Sequence, residues 1–490
     1  MLNTVPRQIL NDGTEEYKER EIIMAPRSYI VRFGGIVLSV AAIATIGAFF
    51  SGEVWSQVAR IAARDPGVRP TAASDGAMLP GLSYMEKQVF GVGLEAFKEV
   101  ASVQGGIPDT EAGLGPRFNL DSCAGCHAHP AIGGTSPVVN PQVEVAKKEG
   151  ATNEIPSFIK IDGPVREARF KSNPDGTPDG GVHALFTITG RKDAGGCNIQ
   201  QPDFRTAVAR QNVVFRIPTP VFGAGLIEAI DDDALLANLV ANSARKQGLG
   251  IRGRANMKGR PNTSGNDGTI TRFGWKAQNK SLEIFAGEAY NVEQGITNEL
   301  FPQERDETPR CNSNATPESR TNYAAATPLE VPSDVVKFAL FMRFLAPPAP
   351  VPDTDTIVRG RKLFEDVGCA MCHTPTLHTG NAAVGSLRDK DVNLYSDLML
   401  HNMGPGLADD VSQGNAGGDE FRTAPLWGLG KRIFFLHDGR TKDLLEAIQA
   451  HASFGGGQQY VPSEANQVVG QYNRLNEIDK QHMLNFLRAL

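Results

Sequence analysis

Apolar side chains return every three or four positions from Tyr84 onward: Met85, Val89, Val92, Ala96 and Phe97. That period marks one stripe of an α-helix. The helix is expected to stop before Gly105 and Gly106. From 140 to 215 the pattern loosens into irregular chain with short strands; Val182, Ala184, Phe186 and Ile188 alternate with other residues, as in a strand. Leu235, Leu236, Leu239 and Val240 follow Asp231, Asp232 and Asp233, which predicts a helix over 231–247 with an acidic first turn. Residues 252–272, rich in Gly, Asn and Arg, read as a long loop, 278–293 as a helix and 302–330 as polar irregular chain. Val335 to Leu345 is again helical, Ala346 to Pro352 is a Pro-rich hinge, and Ile357 to Asp366 is a short helix. Two helices, near 441–451 and 478–489, close the chain.

One apolar run differs from these. Phe33 to Phe50 has no polar face, and Arg27 and Arg32 precede it. It reads as a signal-peptide core or a spanning anchor, with Met24 as an alternative start. Basic residues in front of such a run keep the N-terminus in the cytoplasm, so the chain beyond about residue 60 is expected in the periplasm. The expected organisation is a signal peptide or membrane anchor over 1–55, a linker over 56–80 and two domains, 81–334 and 335–490.

A 41% hydrophobic and 21% charged composition is that of a globular protein. A net charge of -6 gives no basic surplus for nucleic acid and suits a basic cytochrome donor. Of six cysteines, Cys197 and Cys311 stand apart, as one disulfide or two thiols. The other four lie in Cys123-Ala-Gly-Cys126-His127 and Cys369-Ala-Met-Cys372-His373. In Cys-x-x-Cys-His the two thiols add to the haem vinyl groups and the His supplies an iron ligand. Chance predicts about 0.001 such matches in a chain of this composition, so two point to two covalently bound haems c.

The halves share more than this motif. Phe215-Arg216 precedes Pro220-Val-Phe-Gly-Ala-Gly225, and Phe421-Arg422 precedes Pro425-Leu-Trp-Gly-Leu-Gly430. The repeated order indicates a duplicated haem domain with an insertion in the first copy. The expected class is therefore mainly α: two tandem cytochrome c-like domains, the first carrying an irregular, partly β insertion. The two closing helices are expected to pack on the second haem.

Each haem's character depends on its sixth ligand. His127 and His373 supply the fifth. After the second motif the candidates are His378, His401, Met403, His437 and His451. His378 is too near His373 to reach the opposite face, Met403 lies in a Gly-rich loop, and His451 ends a helix. For the first haem no Met stands at a telling distance; His129 is too close to His127, and His183 lies in the strand-like segment as a ligand or pocket residue.

Gly115-Pro-Arg-Phe-Asn, Ser122-Cys-Ala-Gly-Cys-His, Gly134-Thr-Ser-Pro, Phe215-Arg-Ile-Pro-Thr-Pro, Arg272-Phe-Gly-Trp-Lys-Ala, Phe421-Arg-Thr-Ala-Pro-Leu-Trp and Leu436-His-Asp-Gly-Arg together resemble a known family. It is the di-haem oxidoreductase or peroxidase family, also labelled thiol oxidoreductase, within the bacterial di-haem cytochrome c peroxidase superfamily. The resemblance runs from about 80 to 490. It implies that the helix after His437-Asp-Gly supplies the distal ligand of the second haem, at His451, with Met403 as the alternative. It also implies an acidic residue near an open first haem, for which Glu228 is the candidate, and an interdomain Trp, Trp275 or Trp427. The expected activity is peroxide reduction at the first haem with electrons entering at the second. A small cytochrome or similar donor would be the partner and peroxide or a similar small oxidant the substrate. The rival expectations are a pure electron-transfer cytochrome and an oxygenating or protein-modifying oxidase.

Overall fold

The structure, a computed structural model, describes residues 62–258, 267–455 and 459–490. The apolar run at 33–50 and the first residues of the 56–80 linker lie outside the described residues, as does the centre of the expected loop at 252–272. Among the described residues no helix is long and apolar enough to cross a membrane.

Helices carry most of the regular structure, and the strands are two to five residues long. Helix α1 (Tyr84–Lys98) starts at a capping box in which Ser83 and Glu86 satisfy each other's backbone N–H groups. Its buried face is Phe90, Gly93, Ala96 and Phe97, whereas Met85 is exposed. Helix α2 (Leu282–Gln294) is capped by the Ser281 hydroxyl, and α3 (Asp334–Phe344) buries Phe338 and Phe341. Helix α4 (Asp355–Asp366), capped by Thr354, leads into the second Cys-x-x-Cys-His. Helix α5 (Leu444–Ala450) ends at His451, and α6 (Glu477–Ala489) closes the chain.

One packing arrangement occurs twice. Helix α1 packs on α3, and α4 packs on α6. Both contacts are close because a glycine sits at the crossing: a Cβ on Gly93 would strike the Lys337 carbonyl, and one on Gly360 the His482 carbonyl. Four residues on, Phe97 and Phe364 each turn toward the His of the adjacent motif, with ring centroids at 5.9 Å and 6.3 Å. The repeated Gly-x-Gly segments follow suit. Gly223 and Gly428 take φ of 64° and 71°, a left-handed conformation open to glycine. Gly225 lies against the Arg343 carbonyl of α3 and Gly430 against the Arg488 carbonyl of α6. Since α3 packs with α1, its contacts belong with the first half, and the Pro-rich hinge that follows it lies closer to the change of partner than residue 334 does.

The segment between the first motif and α2 packs into a second core, where its Leu185, Phe186 and Ile188 are buried with Phe118 and Leu120 from before the motif and with Cys126 of the motif itself. Its three-stranded antiparallel sheet joins Val182–His183, Glu167–Phe170 and Val213–Arg216. Cys197 and Cys311 are bonded there, with Cα atoms 4.7 Å apart. Three expectations need correction. The ends of the 252–272 loop pair as antiparallel strands, Asn256–Lys258 with Asp267–Thr271. The 231–247 helix breaks at Asn242, whose φ is 55°, into Asp232–Val240 and Ser243–Gly248. A further helix, Asn466–Arg474, lies between α5 and α6.

A buried ion cluster ties the halves together. The Asp409 carboxylate meets Arg216 at 2.6 Å and Lys276 at 3.0 Å, all out of solvent.

Candidate functional site

Two cavities lie at the two Cys-x-x-Cys-His turns. At the first, the Ser122 hydroxyl caps the single turn Cys123–Cys126 and the His127 N–H bonds the Cys123 carbonyl at 3.0 Å. Both sulfurs and the imidazole therefore reach one side of the turn. His127 Nδ1 donates to the Gly134 carbonyl at 2.9 Å, which leaves Nε2 for the cavity. Burial holds this imidazole below its usual range, and so neutral.

The second turn repeats the design. Gly368, with φ of 100°, turns the chain from α4 into Cys369. His373 Nδ1 donates to the Tyr395 carbonyl at 3.0 Å. From across the same cavity His451, at the end of α5, donates Nδ1 to the Ala447 carbonyl at 2.8 Å. Two imidazoles thus share one cavity, each with its Nδ1 spent on the backbone and its Nε2 unspent. Burial, then His451, pulls His373 down to about 4. The rest of the wall is largely apolar, with Leu426, Phe435, Ile448, Val469, Met483 and Leu487.

The other sequence candidates sit elsewhere or are engaged. His401 is buried between Asp397 at 2.9 Å and Glu464 at 2.8 Å, so both ring nitrogens are taken. Burial pushes its pKa down, but the Cys372 sulfur and Asp397 outweigh that and raise it well above the usual range. His378 lies on the surface between Asp389 and Asp391, and His129 donates to the Lys431 carbonyl at 2.7 Å. Met403 does line the second cavity. His437 lines it too, stacked on Phe421 at 4.3 Å and edge-on to Trp275 at 6.4 Å.

The two cavities enclose about 1170 and 1400 Å³ of space, mouths included. Burial pushes the Cys123 and Cys369 thiols up to about 12, so the sulfurs are neutral. Among the described residues no three His, Cys, Asp or Glu side chains gather as a metal-ion site, so a zinc reading of these turns lacks its donors. A flat, mostly apolar macrocycle tied at one edge and ligated through imidazole Nε2 fits both slots.

The cavities differ on the wall facing the imidazole. Among the described residues the first is lined by no His other than His127, and its lining includes the polar side chains of Glu167, Arg169, Arg216, Gln278, Glu288 and Glu293. Glu167 and Glu293 share a hydrogen bond. Burial, then the charge of Glu167, pushes Glu293 up to about 8. Burial acts the same way on Glu167, but Arg169, at 2.7 Å, and then Arg216 outweigh it and hold that carboxyl low. The two carboxyls thus titrate as a pair, with burial and mutual repulsion favouring the neutral form of Glu293 and Arg169 and Arg216 favouring the charged form of Glu167.

Two expected site residues do not reach this wall. Glu228 accepts from the Leu282 N–H at 2.9 Å and pairs with Arg343 at 2.8 Å, capping α2 and pinning α3. His183 stacks on Phe170 at 3.8 Å and bonds Asp179 at 2.8 Å in the outer sheet. Of the two tryptophans, Trp275 lines both cavities and anchors its indole N–H on the Ile217 carbonyl at 2.9 Å. Trp427 packs into the first core, against Gly223.

A family model described as "Di-haem oxidoreductase, putative peroxidase" matches residues 166–490. No curated protein matches the chain. Among solved structures, hydrazine synthase from Kuenenia stuttgartiensis aligns over 92% of this chain and 100% of its own, at 13% identity and a TM-score of 0.35. The diheme peroxidase BthA from Burkholderia thailandensis aligns over 88% and 92%, at 13% identity and a TM-score of 0.36.

Proposed function

The chain belongs to the di-haem oxidoreductase family, and from that premise we propose that it is an exported c-type di-haem peroxidase built from a duplicated cytochrome c-like domain. Cys123, Cys126 and His127 hold the first haem; Cys369, Cys372, His373 and His451 hold the second. Electrons enter at the second haem from a small cytochrome donor and pass to the first, where peroxide is reduced. Bound haem supplies the one-electron chemistry and an iron that binds peroxide.

The observation that carries this reading is the asymmetry of the cavities. The second offers two unspent imidazole nitrogens, on His373 and His451, which would hold an iron from two sides and suit a haem bound there to electron transfer. The first offers one, opposite a wall that holds a proton. Reducing peroxide to two waters consumes two electrons and two protons and breaks the O–O bond. Glu293, in its neutral form, would give one proton to the departing oxygen, and solvent would supply the second proton and restore the one the Glu167–Glu293 pair has given up. Arg169 and Arg216 keep Glu167 charged between turnovers. Trp275, which touches both cavities, is the side chain placed to couple them. Export follows from the attachment chemistry and from the basic-then-apolar segment ending at Phe50.

Steady-state turnover of peroxide with a reduced small cytochrome tests the reading. Consumption of two reduced cytochromes per peroxide is expected. Absence of turnover, with neither peroxide nor cyanide perturbing the spectrum of any haem, would instead make the chain an electron-transfer cytochrome.

A further inference from the structure

Among the described residues, two guanidinium groups that line the second cavity, Arg422 and Arg432, pair with no carboxylate. Arg422 donates from Nε to the Gly274 carbonyl at 2.9 Å and from Nη1 to its neighbour's, Thr423, at 3.4 Å. Arg432 donates from Nη2 to the Pro425 carbonyl at 2.8 Å. By contrast Arg169, Arg216 and Arg272 are matched by Glu167, Asp409 and Asp232. The difference is sharpest between Arg216 and Arg422, which hold the same place in the repeated Phe-Arg motif. Burial pulls Arg432 down to about 10, and burial, then the charge of Arg432, does the same to Arg422. Arg422 is buried and Arg432 half-buried, and neighbouring cations withdrawn from water without a counterion are costly, so a site like this calls for an anion.

Its position narrows the choice. Arg422 and Arg432 line the second cavity and also a smaller crevice that shares Trp275 with both cavities. Among the described residues lining the second cavity they are the only Arg, and Lys is absent. A haem bears its vinyl groups on one edge and two propionate carboxylates on the opposite edge. With the vinyl edge tied to Cys369 and Cys372, as proposed above and as this step requires, the carboxylates must point away from that turn.

We propose that Arg422 and Arg432 form the anion site for the two propionates of the second haem, and so turn its propionate edge toward Trp275 and the first cavity. Guanidinium–carboxylate pairing there is charge-assisted and sets the in-plane orientation of the ring. The two cations also favour the reduced state of that haem.

The test is a spectroelectrochemical titration of the holo-protein, with resonance Raman of the propionate bending band. In Arg422→Gln with Arg432→Gln both haems stay attached, the midpoint potential of the low-spin haem moves negative, and the Raman band shifts. Arg422→Lys with Arg432→Lys, which keeps the charge, holds the potential near the wild-type value. Should the double glutamine variant fail to fold, Arg432→Gln alone gives a smaller shift of the same sign. An intact low-spin haem whose potential and Raman band ignore both arginines overturns the site. Inorganic phosphate that moves the wild-type potential but not that of the glutamine variant marks a free-anion site and also overturns it. A wild-type protein with no low-spin haem removes the underlying haem reading, and the arginine site with it.

Discussion

Glu293 is a carboxyl whose surroundings favour its neutral form. Burial and the nearby charge of Glu167 push it up to about 8, from an ordinary value of 4.5. As the acid in peroxide cleavage it works while protonated, so kcat/KM for peroxide should hold below about pH 8 and fall as pH rises through it. Glu293→Gln should abolish that limb and slow peroxide cleavage about 10²–10⁴-fold while leaving both haems attached. A stopped-flow pH series on both proteins checks this, and an unchanged profile would remove Glu293 from the chemistry. Stability shares the sign: the folded state holds this proton more tightly, so the contribution is complete below about 4.5 and is lost as pH rises through about 8. At this scale the sequence was unevenly legible. The Cys-x-x-Cys-His turns are local motifs, readable from adjacent residues. The Glu167–Glu293 pair joins a strand of the inserted segment to a distant helix, and no spacing rule reaches across that interval. Glu228 drew notice because it follows a repeated motif, but its helix end faces Arg343 rather than the cavity.

At the scale of elements, the two helix crossings depend on Gly93 and Gly360. Alanine at either should force α3 or α6 outward and cost about 1–3 kcal/mol. Gly91, in the same helix as Gly93, has nothing within 4 Å of where its Cβ would stand. Gly91→Ala should therefore leave stability unchanged or raise it by about 0.5–1 kcal/mol through helix propensity. Denaturant unfolding of the three variants separates packing from propensity; equal effects at Gly91 and Gly93 would contradict the close-crossing account. Periodicity found all of α1 to α6, because each buries one stripe against a partner. It missed the 256–271 hairpin, where Gly and Asn mask the strands, and the Asn466–Arg474 helix. A signal that periodicity overlooks is the Gly-x-x-x-Phe shared by α1 and α4, Gly93 with Phe97 and Gly360 with Phe364, which marks the two helices as counterparts.

At the scale of the molecule, the inserted segment is fastened by Cys197–Cys311, which closes a separation of 114 residues. Cys197→Ser with Cys311→Ser should lower stability by about 2–5 kcal/mol, read by thermal unfolding. Neither Cys197 nor Cys311 lines a cavity, so both haems should stay attached at low temperature, and any spectral change should be confined to the first haem, whose cavity shares Leu120, Cys126 and Val165 with the core around this bond. A changed spectrum of the second haem in that variant would contradict this assignment of the bond to the first cavity's surroundings. Trp275 lines both cavities, and the Arg216–Asp409–Lys276 cluster ties the two halves together.

The central claim is that one iron is saturated and the other is open. The resting ferric protein should show, by electron paramagnetic resonance, one low-spin bis-imidazole haem and one high-spin haem. His451→Ala should convert the low-spin signal to high-spin, and Met403→Ala should leave it intact. Two low-spin signals in the wild type, or a low-spin signal that survives His451→Ala and vanishes in Met403→Ala, would contradict the account.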